Sequence, residues 1–426
     1  MSQRAVEPAL ALRGWVRVPG DKSASHRALI LSAIAAGEST IEGLSPGLDV
    51  RATAAIVGQL GATVTETHGR VTVIGPRPGL RASAAALDCG NSGTSMRLLA
   101  GLVSGVVGTH TLVGDASLSR RPMDRVAAPL ALMGAHVRGE GPDVHAPLVI
   151  EGSSSLRGVA YEVPVPSAQV KSAILLAGLA ASGHTIVEEA VRTRATTEDM
   201  LRHAGVTVHS VDVGDGRSVT LTPGRPSPEN WLIPGDPSQA AFFAVLGAIH
   251  RDAAIEVRRV DPSPERVGFV AVLRRMGATV ALDVGEGPMS LRSASSDLVA
   301  TEVHSREIPS VDEVPVLSVA AAAATGVTAF REMGELRVKE SDRFAGAMAL
   351  AASLGCHVWS EGDDFFIEGL GGAGAFAPFT LSAGLDHRMV MAAAVAGVAG
   401  SGCLIDDAQT VGSSYPDFFE DLASLQ

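Results

Sequence analysis

Two helical patterns alternate along the chain, and the first of them ends each time in the same way. Apolar residues recur at helical spacing until a glycine, after which hydrophobic and polar residues alternate as they do in a strand. Because glycine readily adopts the left-handed conformation that closes a helix, each ending predicts an amphipathic helix followed by a strand. Five segments have this ending: QLGATV at 59–64, LMGAHV at 132–137, HAGVTV at 203–208, RMGATV at 275–280 and SLGCHV at 353–358.

The second pattern is an Ala-rich stretch that is apolar on nearly every face, which predicts a buried helix. An extended piece and a few polar residues precede each copy, and the six copies begin near Lys22, Asn91, Ser167, Asp236, Ser310 and Asp386. Their spacings of 69, 76, 69, 74 and 76 residues indicate six repeats of about 71 residues. Each repeat is predicted to hold two helices and roughly four strands, which makes the chain an α/β protein.

The motif Pro-Gly-Asp occurs at 19–21 and again at 234–236, nearly half a chain apart. Equivalent motifs at this separation favour two crossings between two lobes of three repeats each. If the N-terminal strand completes the second lobe, the lobes are residues 21–231 and residues 1–20 plus 232–426. A hinge is then expected at the crossings near 19–21 and 232–236.

Charge and cysteine usage narrow the function classes. With 34 basic and 46 acidic residues the net charge is -12, which disfavours nucleic acid and anionic membranes as partners. Cys89, Cys356 and Cys403 lie far apart without a CxxC pair, so neither a disulfide framework nor a metal site is predicted. No signal peptide or membrane-spanning stretch is apparent, and a cytoplasmic protein is expected.

Cationic and small polar residues cluster at the predicted starts of the buried helices, where free backbone N–H groups attract anions. Taken singly, each position is explained without a ligand, by helix capping through Ser or Asp with solvated charges nearby. Together, in an acidic chain, they indicate a cleft that binds highly anionic ligands. We interpret these ligands as two phosphorylated molecules. The residues at the helix starts are Lys22, Ser23, His26, Arg27, Asn91, Gly93, Thr94, Ser167, Gln169 and Lys171. Two longer segments, GDASLSRRPMDR and ELRVKESDR, add Arg120, Arg121, Arg337, Lys339, Glu340 and Arg343.

Seven motifs, read in order, resemble those of the 5-enolpyruvylshikimate-3-phosphate (EPSP) synthase family over residues 13–422: GDKSASHR, GNSGTSMRLL, RRPMDR, PSAQVKSA, VDEVPVL, LRVKESDR and DHRM. The resemblance implies an enzyme that joins phosphoenolpyruvate to shikimate 3-phosphate. It implies a two-lobed inside-out α/β barrel of the enolpyruvyl transferase type, with six βαβαββ repeats, three per lobe, that close around the substrates. It implies no metal or organic cofactor, a monomer, and inhibition by glyphosate.

The resemblance also assigns binding residues. Those implied for shikimate 3-phosphate are Lys22, Ser23, Arg27, Ser167, Ala168, Gln169, Arg194, Asp312 and Lys339. Those implied for phosphoenolpyruvate are Lys22, Gly93, Arg121, Gln169, Glu340, Arg343, His387 and Arg388. The alternatives are ordinary surface ion pairs for the arginines and a turn role for Gly93.

Three residues are implied to move protons. Asp312 is the base candidate for the sugar 5-hydroxyl, Glu340 the donor to the methylene carbon, and Lys22 a relay near the bridging oxygen. Two alternatives stay open: Asp312 caps its helix, and Glu340 pairs with Arg343 or Lys339. Glu313 is interpreted as a structural neighbour of Asp312.

Departures from the family pattern bear on the subgroup. Many relatives carry a Lys before an aromatic-Pro pair near the C-terminus, whereas this chain reads GSSYPDFF with Ser413 and Ser414. This and the SAQ triplet resemble the class II group, although Arg194-Ala195-Thr196-Thr197 departs from that group as well. Leu98 stands where many glyphosate-sensitive relatives carry Pro, which together with the missing Lys predicts weaker inhibition.

Two rival functions are considered. The UDP-N-acetylglucosamine enolpyruvyl transferases share the fold and usually carry a reactive Cys in the loop that here reads GDASLSRRP, without Cys. A non-catalytic binding protein on the same scaffold would be expected to lose Asp312, Glu340 or the arginines, and all of them are present.

Overall fold

A computed structural model describes residues 3–283 and 289–426; residues 1, 2 and 284–288 of the predicted second lobe lie outside the described part. The chain divides into two units. We call Lys22–Ile233 the continuous unit, and Met1–Asp21 together with Pro234–Gln426 the split unit.

The helices follow the two predicted patterns. In chain order they are α1 (Lys22–Ile34), α2 (Leu48–Gln59), α3 (Gly93–Ser104), α4 (Asp124–Leu132), α5 (Ala168–Gly178), α6 (Thr196–His203), α7 (Pro237–Ile249), α8 (Gly268–Arg275), α9 (Val314–Ala323), α10 (Arg343–Ser353), α11 (His387–Ala399) and α12 (Phe418–Ala423). The odd-numbered helices are the Ala-rich ones, and α7, α9 and α11 are buried at every residue. Helix α10, by contrast, buries only the stripe that its apolar spacing predicts.

The strands are short. In chain order they are β1 (Gln3–Val6), β2 (Leu12–Val16), β3 (Glu38–Glu42), β4 (Thr63–Thr67), β5 (Arg70–Ile74), β6 (Leu87–Asp88), β7 (Gly108–Val113), β8 (His136–Glu140), β9 (His145–Gly152), β10 (Ala160–Val163), β11 (Thr185–Glu189), β12 (Val208–Val213), β13 (Gly216–Leu221), β14 (Asn230–Leu232), β15 (Ala253–Val260), β16 (Thr279–Asp283), β17 (Met289–Ala294), β18 (Glu302–His304), β19 (Thr325–Arg331), β20 (His357–Glu361), β21 (Asp364–Leu370), β22 (Phe379–Ser382) and β23 (Cys403–Asp406).

Within residues 3–283 and 289–426 these strands form six sheets, which confirms the six-fold repeat and the α/β class. The continuous unit holds the sheets β14-β3-β5-β4, β6-β7-β9-β8 and β10-β11-β13-β12. The split unit holds β16-β17-β15-β2, β18-β19-β21-β20 and the three-stranded β1-β23-β22. In β6-β7-β9-β8, for example, the strand before the buried helix runs parallel to the strand after it, and the remaining neighbours are antiparallel.

Strands β2 and β14 precede the two crossings, and each pairs with a strand that is distant in sequence. Strand β2 pairs in parallel with β15, with Leu12 opposite Ala253, so the N-terminal strand completes a sheet of the split unit. Strand β14 pairs in parallel with β3, with Asn230 opposite Thr40, and completes a sheet of the continuous unit. Each of these strands thus lies in the unit opposite to that of the buried helix that follows it in the chain.

All five predicted glycine endings have the predicted geometry. The backbone φ is +109° at Gly61, +95° at Gly134, +79° at Gly205, +90° at Gly277 and +105° at Gly355. Each glycine follows an even-numbered helix from α2 to α10, and a strand begins two or three residues later. An L side chain at these positions would be strained, which is why the sequence uses glycine.

Each unit has its own hydrophobic core, centred on three buried helices. Helices α1, α3 and α5 bury their apolar faces in the core of the continuous unit, and α7, α9 and α11 do so in the split unit. The polar residues that precede these helices are therefore held at the ends of a rigid helix bundle in each unit. This arrangement brings together side chains that are about 70 residues apart in sequence.

Candidate active site

Lys22 opens α1 in the continuous unit. Its Nζ lies 3.0 Å from Oδ2 of Asp49, a residue in the first turn of α2. The Lys22 side chain is 14% exposed and that of Asp49 is 6% exposed. This partly buried ion pair orients the ammonium group at the start of α1 and leaves it accessible to a small anion.

Arg27 lies one turn further along α1, and its guanidinium is surrounded by hydroxyl groups. Its Nε donates to Oγ1 of Thr197 at 2.6 Å, and its Nη2 donates to Oγ of Ser172 at 2.6 Å. Its Nη1 donates to both the carbonyl and the hydroxyl of Ser23, at 2.8 and 2.7 Å. Arg27 therefore links α1 to α5 and α6 and fixes the orientation of Ser23.

Gln169 joins the starts of α3 and α5. Its Nε2 donates to Oγ1 of Thr94 at 2.9 Å, and its Oε1 accepts from Nη1 of Arg97 at 2.8 Å. Ser167 caps α5 by accepting from the backbone N–H of Val170, and Ala168 is the first residue of the helix. The structure thus places Ser167, Ala168 and Gln169 in one helix start beside α3.

Gly93 is the first residue of α3, and two guanidinium groups lie against it. A Cβ at this position would lie 2.8 Å from Nη1 of Arg121 and 2.8 Å from Nη1 of Arg97. Arg121 is buried, and its Nη2 donates to Oδ1 of Asn91 at 3.3 Å. The absence of a side chain at Gly93 is what allows both cations to approach the start of α3.

Lys171 behaves differently from the other cations near the helix starts. Its Nζ lies 2.7 Å from carboxylate oxygens of both Glu189 and Glu198, and all three side chains are fully buried. The Lys171 ammonium also lies 3.5 Å from the carbonyl of Thr193, next to the half-buried Arg194. Lys171 is therefore part of a core ion network that supports the segment carrying Arg194.

In the split unit, Arg343 opens α10 and contacts three carboxylates. Its Nη1 lies 2.8 Å from Asp312, its Nη2 lies 2.6 Å from Glu340, and its Nε lies 2.8 Å from Asp386. The Arg343 and Asp386 side chains are fully buried, whereas those of Asp312 and Glu340 are 22% and 15% exposed. A second cation, Arg388, lies 3.4 Å from Oδ2 of Asp312.

Three helix starts supply this second cluster. Asp312 lies two residues before α9, and Arg343 is the first residue of α10. Asp386 caps α11 by accepting from the backbone N–H of Arg388, and His387 is the buried first residue of that helix. The cluster is thus built on the ends of α9, α10 and α11, and the half-buried Lys339 adjoins it just before α10.

The electrostatics of the cluster favour the charged forms of Asp312 and Asp386. Burial alone would raise the pKa of Asp312, but Arg388, Arg343 and Lys339 outweigh burial and hold that pKa well below its usual range. For Asp386, the Arg343 guanidinium likewise outweighs burial and lowers the pKa. Burial lowers the pKa of Lys339, although Asp312 acts in the opposite direction. Asp312 is therefore an ionised acceptor that its cation partners make a weak base.

The structure bears on the alternatives left open by the sequence. The Asp312 carboxylate contacts Arg343 and Arg388, and Glu340 forms the ion pair with Arg343 that was the alternative to a role in proton transfer. An ion pair with a partly exposed carboxylate is compatible with proton transfer. Glu313 is buried and accepts hydrogen bonds from Ser238 and Ser310, as expected of a structural neighbour.

Sequence reasoning missed three side chains that these clusters use: Asp49, Arg97 and Asp386. Arg97 lies inside the motif GNSGTSMRLL, one helical turn after Gly93, so its position on the same face of α3 was a usable signal. Asp386 directly precedes a predicted helix, where Asp is typical of a cap. Nothing local marks Asp49 as the partner of Lys22, because the contact depends on how α1 packs against α2.

The segment in which many relatives carry a Lys is held here by uncharged side chains. Ser414 is buried, and its hydroxyl accepts from Nε2 of Gln239 at 3.0 Å. Tyr415, the next residue, is also buried and donates from its hydroxyl to Asp421 at 2.6 Å. The segment is therefore fixed by packing and by hydrogen bonds of Ser414 and Tyr415.

The cysteines, the possible metal ligands and the helix lengths within residues 3–283 and 289–426 bear on other kinds of site. Cys89, Cys356 and Cys403 are free thiols in the buried interior, where burial raises the pKa of Cys356 to about 11 and that of Cys403 to about 12. In the same ranges no group of three or more His, Cys, Asp or Glu side chains is arranged to hold a metal ion. No helix in this part of the chain is long and apolar enough to cross a bilayer.

The chain is similar to known proteins over nearly its whole length. Residues 6–422 match the family model described as EPSP synthase (3-phosphoshikimate 1-carboxyvinyltransferase). A 3-phosphoshikimate 1-carboxyvinyltransferase from Gloeobacter violaceus is 44% identical over 436 residues, covering 99% of this chain and 98% of the relative. A solved EPSP synthase from Acinetobacter baumannii superposes with a TM-score of 0.84 at 37% identity, covering 99% of this chain and 98% of that one.

A more distant neighbour shares the fold. The enolpyruvyl transferase NikO from Streptomyces tendae superposes with a TM-score of 0.79 at 20% identity, covering 99% of this chain and 96% of that one. The two-lobed enolpyruvyl transferase fold implied by the motifs is thus confirmed.

Proposed function

This chain belongs to the EPSP synthase family, and on that premise we propose that it transfers the enolpyruvyl group of phosphoenolpyruvate to the 5-hydroxyl of shikimate 3-phosphate, releasing phosphate. The reaction belongs to the shikimate pathway, which leads to chorismate and the aromatic amino acids. Its substrates carry two phosphates and two carboxylates, and so the enzyme needs several fixed cations close to groups that transfer protons.

The observation that carries the proposal is the cluster of Asp312, Glu340, Arg343 and Arg388 at three helix starts. Two guanidiniums suit a small ligand that bears both carboxylate and phosphate, because their planar forks bind such groups bidentately. Two partly exposed carboxylates beside them suit proton transfer to and from the same ligand. A purely structural ion network would have no need to leave its carboxylates accessible.

We assign the binding roles as the family motifs imply them. Phosphoenolpyruvate contacts Lys22, Gly93, Arg121, Gln169, Glu340, Arg343, His387 and Arg388. Shikimate 3-phosphate contacts Lys22, Ser23, Arg27, Ser167, Ala168, Gln169, Arg194, Asp312 and Lys339. The contacts of Arg27 with Ser23 and of Gln169 with Thr94 support these assignments, because they hold the polar groups of the continuous unit in fixed orientations before any ligand binds.

The first chemical step is an addition. The 5-hydroxyl oxygen forms a bond to the central carbon of phosphoenolpyruvate, Asp312 accepts the hydroxyl proton, and Glu340, which enters this step in its protonated form, donates its proton to the methylene carbon. Arg343 and Arg388 keep the pKa of Asp312 low in the structure described above, which makes it a weak base. When the phosphoenolpyruvate anion takes over these two arginines, the pKa of Asp312 rises and the carboxylate becomes a stronger base.

The second step reverses the proton transfer on carbon. The tetrahedral intermediate loses a proton from its methyl group to Glu340, and the bond from carbon to the phosphate oxygen breaks while the proton held by Asp312 passes to the departing phosphate, so that the enol ether and inorganic phosphate leave. Lys22 serves as a proton relay near the bridging oxygen, where the ion pair with Asp49 keeps its ammonium oriented.

Several finer assignments belong to the same proposal. We infer that lobes of residues 21–231 and of 1–20 plus 232–426 move about the crossings near 19–21 and 232–236 when substrates bind. We further infer a cytoplasmic monomer and inhibition by glyphosate in competition with phosphoenolpyruvate. The class II subgroup stays a prediction from the sequence.

The decisive experiment is phosphate release from phosphoenolpyruvate in the presence of shikimate 3-phosphate, with UDP-N-acetylglucosamine as the rival acceptor. We expect turnover with the first acceptor and background release with the second. The Asp312→Asn variant controls for a contaminating phosphatase, since such an activity would survive the substitution. Release that depends on UDP-N-acetylglucosamine, or no dependence on either acceptor, would refute the proposal.

A further inference from the structure

Arg266 is a buried arginine of the split unit that no family motif quoted above includes. It ends the short 3-10 turn Pro264–Arg266 directly before α8, and its side chain is 4% exposed. Its Nη1 forms a close ion pair with Asp21, and its Nη2 lies 2.9 Å from Oδ1 of Asp236. These two acids are the final residues of the two Pro-Gly-Asp motifs.

The backbone around these acids is already joined. The N–H of Asp21 donates to the carbonyl of Pro234 at 2.7 Å, and the N–H of Asp236 donates to the carbonyl of Pro19 at 2.9 Å. The N–H of Gly235 donates to the carbonyl of Arg259 in β15 at 2.6 Å. Arg266 therefore adds a side-chain clamp where the two crossing segments meet the rest of the split unit.

The same network reaches the start of α9. Nη2 of Arg266 lies 3.3 Å from Oγ of Ser238, and that hydroxyl donates to Oε1 of Glu313. Ser310 donates to the other oxygen of Glu313 at 2.9 Å. Glu313 is the residue after Asp312, just as Asp21 is the residue before Lys22.

We propose that Arg266 is a positioning residue for the reaction: it fixes Asp21 directly, and Glu313 through Ser238, and thereby sets the backbone positions of Lys22 and Asp312. The proposal rests on the function proposed above, because it concerns two of the three residues assigned to proton transfer. A guanidinium suits this role because its planar fork can hold two carboxylates in fixed directions, which a lysine ammonium cannot.

The electrostatics support a permanently charged clamp. Burial alone would lower the pKa of Arg266, but Asp21, Asp236 and Glu313 outweigh burial and raise that pKa. The side chains of Asp21 and Asp236 are almost completely buried, so water does not screen the pairs. The clamp therefore constrains the backbone far more strongly than an exposed pair would.

The test compares Arg266→Lys with a matched control, Arg275→Lys. Arg275 lies at the other end of α8, about 12 Å away along the helix axis, and binds Glu307 through two nitrogens at 2.9 and 3.1 Å. Both substitutions keep the charge and remove the planar fork, but Arg275 has no contact with the crossing segments in the described contacts. Glu313→Gln is a third variant, which keeps both ion pairs of Arg266 and weakens only the link to α9.

Two measurements decide the proposal. Hydrogen exchange followed by mass spectrometry reports on peptides covering residues 17–22, 233–238 and 310–316, and steady-state phosphate release separates kcat from KM. For Arg266→Lys we expect faster exchange in all three peptides and a loss in kcat of about ten- to a hundredfold with KM little changed, since a misplacement near 1 Å can cost on the order of a hundredfold. Glu313→Gln is expected to change only the 310–316 peptide and to lower kcat less.

The outcomes separate positioning from general stability. Unchanged exchange in these peptides and unchanged kcat in Arg266→Lys, or the same changes in Arg275→Lys, would overturn the proposal. So would a lower melting temperature with normal kcat in the folded fraction. If Arg266→Lys does not fold, normal kcat and exchange in Glu313→Gln overturn the proposal instead. If the parent protein shows no turnover, the proposed function fails, and exchange alone decides whether Arg266 fixes the segments.

Discussion

Substituting Gly93 by alanine tests the phosphoenolpyruvate assignment with a single methyl group. The Cβ would lie 2.8 Å from Nη1 of Arg121 and from Nη1 of Arg97, whereas ordinary contact begins at 3.4 Å. Each nitrogen must therefore withdraw by about 0.6 Å, which both can do because they end flexible side chains. A withdrawal of this size takes the 2.8 Å hydrogen bond from Arg97 to Gln169 outside the range of about 2.7–3.2 Å for good bonds.

The expected loss of affinity for phosphoenolpyruvate follows from the displacement of the Arg121 guanidinium. Arg121 is assigned to phosphoenolpyruvate, and losing a contact of its charged guanidinium to that ligand costs about 1.5–3 kcal/mol, which corresponds to about a 10- to 100-fold change in affinity. We therefore expect the KM for phosphoenolpyruvate to rise about tenfold or more. Folding stability should fall by less than this, because the bond from Arg97 to Gln169 is only partly buried and alanine has the higher helix propensity.

The assay is phosphate release at varied phosphoenolpyruvate, paired with urea unfolding. Gly58→Ala is the matched control, since Gly58 lies in α2 with open space around its missing side chain. We expect Gly58→Ala to leave the KM for phosphoenolpyruvate unchanged. An unchanged KM for phosphoenolpyruvate in the folded Gly93→Ala variant would refute the assignment of Arg121 and Gly93 to this ligand.

Four further outcomes are expected. Glyphosate inhibition should be competitive with phosphoenolpyruvate, and Gly93→Ala should weaken it more than it raises KM, since glyphosate is the longer ligand; an equal loss for both would contradict this. Lys22→Met should lower kcat/KM more than tenfold, because a charge-assisted contact to phosphate is worth about 1.5–3 kcal/mol; near-normal kcat/KM would count against the site. Asp312→Asn and Glu340→Gln should each lower kcat on the order of a hundredfold or more with smaller changes in KM, and a change in KM alone would make these carboxylates binding groups. Because the pKa of Asp386 is held below its unfolded value, its charge stabilises the fold above a pH of about 4 and progressively less below it. In urea unfolding at several pH values, the difference in unfolding free energy between the parent and Asp386→Asn should therefore shrink on acidification, and a constant difference would contradict the assignment.

Much of the fold could be predicted from the sequence because its signals are local. A glycine at 61, 134, 205, 277 or 355 ends a helix through its own backbone conformation, and the Ala-rich stretches are buried because they are apolar on all faces. The sixth repeat is less regular: after β23 it continues into a 3-10 segment and the short α12, and its sheet takes β1 from the N-terminus as its third strand. That pairing joins residues about 400 positions apart, for which no local pattern exists.

The candidate site could be predicted in part for the same reason. Residues such as Lys22 and Arg343 are recognisable because they stand at predicted helix starts within family motifs. Their partners are set by packing between helices, so Asp49 and the fully buried Asp386 could be identified only once the helices were placed. Arg266 is the extreme case, because it stands in an ordinary turn sequence and its role depends on three acids that are distant in the chain.

The strand exchange at the crossings has a consequence for the order in which the chain folds during synthesis. All strands of the continuous unit lie between residues 22 and 233, so this unit can form as soon as its last strand, β14, has been made. Strand β2 is made earlier but has to wait for β15, whose pairing residue Ala253 follows Leu12 by 241 positions. At roughly 5–20 residues per second, this wait lasts on the order of 10–50 s. Strand β2 is thus made long before it can find its place, and β1 pairs later still, with β23.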